Sequence, residues 1–174
     1  IAPNKAHHDL VAAVRTLREL HGDDAHLHFV GTDGPPGYRK IVETIVTHAG
    51  MRDHVTFHGS VSQEELVAHY VSADVFCCLS DHEGFCVPVI EAMHHGLPVV
   101  AFDCTAVGET VGNGGLLLKD KNPLVVACAL HRVSSDSGLA QRLRTAGRQR
   151  AKYFDRGITQ DHFGEYLSTL LGSL

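Results

Sequence analysis

No apolar run in this chain approaches the roughly 20 residues that a helix needs to span a bilayer, and no signal-peptide pattern is present. A membrane-spanning helix is therefore not expected. C-x-x-C spacing is also missing. The five cysteines, Cys77, Cys78, Cys86, Cys104 and Cys128, are odd in number and scattered. That argues against a disulfide framework or a zinc ribbon, and for buried free thiols in a reducing cytosol. There is no H-E-x-x-H, although 14 histidines are many for this length. His54 and His58 share one face of an expected strand but stand too far apart to chelate, so no metal site is expected. Asp-x-Asp, a usual metal–diphosphate clamp, is absent, and Asp81-His82-Glu83 mimics it only loosely. No G-x-G-x-x-G follows a strand, which argues against a dinucleotide oxidoreductase. A formal charge of -5 argues against a nucleic-acid partner.

What is present is ordinary globular material: 174 residues, 44% hydrophobic and 20% charged, enough for one domain with a good core. Short apolar runs alternate with longer amphipathic ones, the pattern of βαβ units and a parallel sheet. Strands are expected at Leu27 to Gly31, Val55 to Phe57, Asp74 to Leu79, Pro98 to Phe102 and Leu116 to Leu118. Helices are expected over His8 to Leu20, Tyr38 to His48, the stretch opened by Ser62, and Val107 to Val111. Three more follow, at Pro123 to Val133, Leu139 to Tyr153 and Thr159 to Leu171. Ser62 with Glu65 three residues on reads as a capping box. Phe154 to Gly157 reads as a hinge. The basic residues Arg142, Arg144, Arg148, Arg150, Lys152 and Arg156 fall on several helical faces, so most are expected to be solvated. A patch for anionic lipid headgroups is the minority alternative.

The most informative stretch is Glu83-Gly84-Phe85-Cys86-Val87-Pro88-Val89-Ile90-Glu91. A buried strand precedes it and a helix follows, with Pro88 near the first helical position, where a missing N–H costs nothing. Amides of residues about 85 to 87 would project from the sheet's C-terminal edge as a cradle for an anion. Carboxylates on both sides suit a ligand with hydroxyls flanking a phosphate, as in a nucleotide-sugar. Taken alone, the residues leave this open against a helix-capping acid plus a solvated acid.

The same stretch resembles the Glu-x7-Glu signature of retaining glycosyltransferases of the two-Rossmann-domain (GT-B) type, family 4. There the pattern reads E-G-F-G-x-P-x-x-E-A-M followed by G-x-P-V-V-A, matched here by Glu83 to Met93 and by Gly96-Leu97-Pro98-Val99-Val100-Ala101. Cys86 stands where the family has glycine. Pro3 to Asp9 resembles the family's basic loop, Leu27 to Pro35 its second strand and Gly-rich turn, and His54 to Gly59 its third strand. Gly108-Glu109-Thr110-Val111 resembles a P-E-x-V element. The resemblance covers nearly the whole chain.

The resemblance implies a Rossmann-like three-layer sandwich with a central parallel sheet, one half of a GT-B fold. Residues 1-156 would form the donor-binding domain. Residues 157-174 would form a helix that either packs on this domain, the preferred expectation, or turns its stripe of Phe163, Tyr166, Leu167, Leu170 and Leu171 toward a missing N-terminal domain. Beginning at Ile1, the chain is expected to be the C-terminal half of a longer enzyme, with the family's arginine just upstream. The implied donor is a nucleoside diphosphate sugar, used with retention and without cofactor or metal. Lys5 would contact the diphosphate, Glu83 the sugar hydroxyls and Glu91 the ribose. The amides of Phe85, Cys86 and Val87 would meet the diphosphate or the sugar, Gly59 and Val61 would contact the base through backbone atoms, and Gly31, Gly34 and Gly84 would complete the nucleotide-sugar site. The fragment alone would transfer nothing. The implied location is cytoplasmic, with a peripheral contact at the inner membrane face as an open option. Two other readings are a non-hydrolysing nucleotide-sugar epimerase and a nucleotide-binding module without activity.

Overall fold

The computed structural model describes residues 1–22 and 24–172. In chain order the helices are α1 (His7–His21), α2 (Tyr38–His48), α3 (Gln63–Ser72), α4 (Val87–His94), α5 (Val107–Val111), α6 (Pro123–Ser135), α7 (Ser137–Lys152) and α8 (Arg156–Gly172). The strands are β1 (Leu27–Val30), β2 (Val55–Gly59), β3 (Phe76–Cys78), β4 (Val99–Phe102) and β5 (Leu116–Leu118). Every strand pair is parallel, as the alternation of apolar and amphipathic runs requires. The ladders fall into two groups, β1-β2 and β3-β4-β5. The segment from Ile1 to Asn4 reaches both groups near their C-terminal ends. The Gly34 amide donates to Ile1 O at 2.8 Å, and the Asp81 amide donates to Asn4 O at 2.8 Å.

Side chains alternate along the strands as a pleat demands. Val100 and Leu118 face one core cluster, built with Val11, Val14 and Leu17 of α1, Val42 of α2, and Val126 and Leu130 of α6. Val99 and Ala101 face the other, built with Val89, Ala92 and Met93 of α4, Val107 and Val111 of α5, and Ala151 of α7. Helices therefore cover both faces of the parallel strands, giving a three-layer α/β sandwich of Rossmann type. Val11, Val99, Val100 and Val126 are each at most 1% exposed, and each such burial stabilises by roughly 1.5–3 kcal/mol.

Local sequence signals set several boundaries. Ser62 Oγ accepts from the Glu65 amide at 3.2 Å, and Glu65 Oε2 accepts from the Ser62 amide at 2.8 Å, the expected reciprocal cap. Pro88 lies in the first turn of α4 and Pro123 opens α6.

One expectation is corrected. Phe163, Tyr166, Leu167 and Leu171 remain 40–68% exposed, so the stripe on α8 does not pack on this domain; the Leu170 side chain lies outside the described residues. Of the late basic residues Arg142, Arg148 and Lys152 are exposed, as expected of most of them, Arg144 is half-buried, and so is Arg150. The Arg150 guanidinium donates to the carbonyls of Glu109 at 2.6 Å and Thr110 at 3.1 Å and sits 4.7 Å from the Phe154 ring centroid, closing the end of α5 against α7. The Arg156 side chain lies outside the described residues.

Candidate functional site

The β3–α4 turn places Glu83 at the C-terminal edge of β3, where ligands of open α/β sheets bind. Its side chain is only 8% exposed, yet it ends on charge: Oε1 accepts from Lys5 Nζ at 2.6 Å and from Ser80 Oγ at 2.6 Å. Lys5 reaches it from the single 3-10 turn Pro3–Lys5 that precedes α1. Residues 78 positions apart in sequence thus form one ion pair. Burial pulls the Lys5 ammonium down, but the hydrogen bond and charge of Glu83 outweigh it and hold lysine above its ordinary value.

The turn around Glu83 is fastened from outside. Thr105, from the β4–α5 loop, accepts from the Glu83 amide at 2.9 Å and donates to the Glu83 carbonyl at 2.8 Å. Asn4 Nδ2 donates to His82 O at 3.2 Å, and Thr110 Oγ1 donates to Phe85 O at 2.6 Å. Lys121 from the β5–α6 loop bridges Asp81 and Asp9, with Asp9 at 2.8 Å. The Phe85 ring meets Phe154 edge-on at 5.3 Å, which joins the turn to the end of α7.

Beyond Glu83 the chain turns sharply. Cys86 takes a left-handed conformation, φ 64°, at the N-cap of α4. The amides of Phe85, Cys86 and Val87 find no acceptor among the described residues. Phe85 and Val87 are exposed while Cys86 is buried. Bare amides at the N-terminus of a helix attract anions through their partial positive charge. Cys86 Sγ lies 3.7 Å from Cys78 Sγ, and this hydrogen bond holds the Cys78 thiol below its usual range, near 6, while pushing its partner up. All five cysteines are free thiols; of the other three, Cys77 and Cys104 are half-buried, and Cys128 is exposed rather than buried.

Glu91 lies on α4, where Tyr70 OH donates to its Oε2 at 2.9 Å. Burial and then the Glu91 charge push the Tyr70 phenol well above its normal range, so it remains a donor. Gly31 and Gly59 are brought together: the Gly31 amide donates to Gly59 O at 2.9 Å where β1 and β2 end. Gly34 packs under the first residue, and an added Cβ would come within 2.6 Å of Ile1 O. A Cβ on Gly84 would meet nothing within 4 Å. Val61 is half-buried, just past β2. Lys5, Glu83 and the 85–87 amides therefore share one locality, while Gly31, Gly34, Gly59 and Val61 lie along the neighbouring β1–β2 edge. A cavity of about 270 Å³ between α2 and β2, lined by Glu43, Val46, Thr47, Arg52, Val55 and Phe57, touches none of them.

Ser80, Thr105 and Tyr70 were not singled out by sequence reasoning. Ser80 lies inside the signature's approach, three residues before Glu83, and that spacing was its only signal. Thr105 and Tyr70 act across 22 and 21 residues and leave no local pattern.

The family described as glycosyl transferases group 1 matches residues 1–150 of this chain. The GDP-mannose-dependent alpha-(1-6)-phosphatidylinositol monomannoside mannosyltransferase of Mycobacterium tuberculosis is 34% identical over 158 residues, covering 86% of this chain and 40% of that protein. The MMP alpha-(1->4)-mannosyltransferase of Mycolicibacterium hassiacum is 34% identical over 152 residues, covering 86% of this chain and 36% of its own. The chain thus spans about two fifths of the length of these curated relatives. Among solved structures, sucrose-phosphate synthase from Thermosynechococcus elongatus superposes with a TM-score of 0.83 at 27% identity, over 99% of this chain and 44% of that one. Anabaena HepE in complex with UDP and glucose superposes with a TM-score of 0.84 at 22% identity, over 97% and 46%, a likeness of fold.

Proposed function

Because this chain belongs to the glycosyl transferases group 1 family, we propose that it is the donor-binding half of a retaining glycosyltransferase that moves a sugar from a nucleoside diphosphate sugar to an acceptor. The observation that carries the reading is the Lys5–Glu83 ion pair beside the unbonded amides of Phe85, Cys86 and Val87. A diphosphate suits such a place. The amides and the α4 N-terminus receive its oxygens, and the Lys5 ammonium neutralises charge that builds on the leaving phosphate as the glycosidic bond breaks.

Glu83 keeps one oxygen on Lys5 and Ser80 and offers the carboxylate to hydroxyls of the sugar. It positions the sugar and forms no covalent bond to it. Attack from the face the diphosphate leaves, through an oxocarbenium-like transition state, gives retention. Glu91, oriented by Tyr70, accepts from the ribose hydroxyls. Backbone atoms at Gly31, Gly34, Gly59 and Val61 line the nucleotide, and Gly84 leaves room for the ligand's approach. In this reading Lys5 does the electrostatic work that a metal ion does elsewhere.

The acceptor would be recognised by an N-terminal domain of the same chain. The exposed apolar stripe on α8, within residues 157-174, would pack toward that domain, leaving 1-156 as the donor domain. The proposed setting is cytoplasmic, with peripheral contact at the inner membrane face. Among the described residues, no helix is long and apolar enough to cross a membrane. Two curated relatives are named mannosyltransferases, one of them GDP-mannose-dependent, so GDP-mannose is the first donor to try.

Calorimetric titration of the domain, and of a longer chain carrying the N-terminal half, with GDP, GDP-mannose, UDP, ADP and dTDP tests the reading. Binding selective for one base, weakened about tenfold or more in Glu91→Ala and Lys5→Ala, is expected. Failure of both proteins to bind any of the five would reject it.

A further inference from the structure

The proposed donor site gives the thiols of Cys78 and Cys86 no part, yet both are buried and their Sγ atoms stand 3.7 Å apart. We propose that Cys78 and Cys86 are a redox-responsive dithiol that closes to a disulfide under peroxide and, in closing, disables the Glu83 turn.

Bond formation needs the sulfurs to approach by only about 1.7 Å, to the usual S–S length. The backbone between them can yield. Cys78 ends β3, and Cys86 lies at the N-cap of α4, past a turn whose Gly84 has open space around it. The pleat selects the pair: Cys77 packs against the opposite core cluster, whereas Cys78 and Cys86 share one cluster. The Glu83 carboxylate lies within 4.8 Å of both sulfurs, but Lys5 and Ser80 already occupy its Oε1. A dication placed there would face the Lys5 ammonium, which favours a disulfide over a metal.

The chemistry balances with hydrogen peroxide, small enough to reach a buried sulfur. The Cys78 thiolate attacks one peroxide oxygen, the O–O bond breaks, and the departing hydroxide takes up a proton as water, leaving Cys78 sulfenic acid. Cys86 sulfur then attacks Cys78 sulfur, the S–O bond breaks, and a second water leaves with the Cys86 proton. In sum, two thiols and one peroxide give one disulfide and two waters, with two electrons passed to the oxidant. The hydrogen bond between the two sulfurs, 3.7 Å apart, lowers the Cys78 thiol and raises that of Cys86, which favours Cys78 as the attacking thiolate.

Closure reaches the site through one short chain of contacts. Cys78 Sγ lies 3.5 Å from Ser80 Oγ, which holds Glu83 Oε1, and Cys86 carries one of the bare amides. A Cys78–Cys86 bond encloses Glu83 in its loop, moves Cys78 from Ser80 and turns the 85–87 amides. This effect on binding rests on the proposed donor site; the disulfide does not.

The test is thiol mapping of the intact protein before and after stoichiometric hydrogen peroxide, with alkylation of free thiols and proteolysis after Glu83, which separates the two cysteines. Peptides joined through Cys78 and Cys86 and released by dithiothreitol are expected, with Cys77, Cys104 and Cys128 alkylated. In Cys86→Ser a sulfenic acid trappable by dimedone should remain at Cys78. Should Cys86→Ser fold poorly, Cys86→Gly serves in its place. Alkylation of both cysteines after Cys128 has been oxidised would overturn the proposal, as would a crosslink through Cys77 or Cys104. Nucleotide titration of the oxidised protein should show affinity about tenfold weaker, restored by reduction. A mapped disulfide with unchanged affinity would overturn the control of the site. If the reduced protein binds no nucleotide the donor site itself fails, and the thiol map alone still decides whether the pair exists.

Discussion

Thr105 grips both backbone groups of Glu83 with a single hydroxyl, accepting from the amide at 2.9 Å and donating to the carbonyl at 2.8 Å. Thr105 itself is held in the left-handed region, φ 40°, which a β-branched residue adopts only where its surroundings enforce it. Replacing it with valine keeps the shape and removes both bonds, leaving two backbone groups beside a buried acid unsatisfied. Thr105→Val is expected to lower stability by about 1–3 kcal/mol and to weaken nucleotide-sugar binding further than that loss of folded protein explains. Urea unfolding together with titration at saturating folded fraction would check it. Unchanged affinity in the folded variant would mean the clamp serves the fold alone.

The second acid depends on a phenol. Tyr70 OH is the donor that orients Glu91, and the same ring stacks on His95 at 5.6 Å. Tyr70→Phe keeps the stacking surface and deletes the donor. Stability should fall by about 1 kcal/mol, while affinity for a nucleoside diphosphate drops several-fold and affinity for inorganic diphosphate stays unchanged. Equal losses for both ligands would place Glu91 away from the ribose.

Stability should decline as the solution is acidified through the histidine range. Burial, reinforced by the N-terminal ammonium, His8 and Lys5, holds His7 at about 4. Burial also holds down His28, beside His26, His58 and His69, and His58, beside His69 and His26. In the unfolded chain these rings titrate near 6.5, so between the folded and unfolded values the unfolded state binds more protons. The stabilisation is then complete above about pH 6.5 and is lost as the pH falls toward 4. His7 alone contributes on the order of 2 kcal/mol. Its ring meets Phe29 edge-on at 4.8 Å, so His7→Phe retains an aromatic contact while removing the titration. Urea midpoints from about pH 7.5 to 5 should vary less in that variant; an equally steep dependence would assign it to other groups.

How much of this was legible in the chain depends on the range over which each signal acts. The helix ends were readable because Ser62, Pro88 and Pro123 act on backbone within one turn. The parallel sheet was readable because runs such as Val99-Val100-Ala101 are apolar on both faces. The Glu83 turn was readable from its glycine, proline and spacing. The grouping of strands into two ladders was not, since pairing of separate strands leaves no mark on either one. Nor was the Lys5–Glu83 contact, which a matched motif implied only as two residues near one ligand. Thr105 and Tyr70 escaped because a hydroxyl that serves a residue more than 20 positions away looks like any surface hydroxyl. The exposed stripe on α8 was misjudged for a related reason: helical spacing identifies an apolar face but not what covers it.

Two glycines of the site should part company under the same substitution. At Gly34 a Cβ would press to 2.6 Å from Ile1 O, and this is backbone, which cannot rotate away. The Gly34 amide donates to that same carbonyl at 2.8 Å, so any shift also strains the bond that ties the first residue to the β1 edge. Gly34→Ala is therefore expected to cost about 1–3 kcal/mol in stability. At Gly84 the built Cβ meets nothing within 4 Å and the backbone lies outside the positive-φ region, so the fold itself has no need of glycine there. Gly84→Ala should leave stability within about 0.5 kcal/mol. If the space above the 84–87 turn is where a sugar diphosphate lies, the added methyl should still weaken donor binding about tenfold, because only a ligand would compete for that volume. Paired urea and calorimetric curves for the two variants separate the outcomes. Full donor affinity in Gly84→Ala, beside an intact fold, would move the ligand off this turn and leave the Lys5–Glu83 pair as a structural contact.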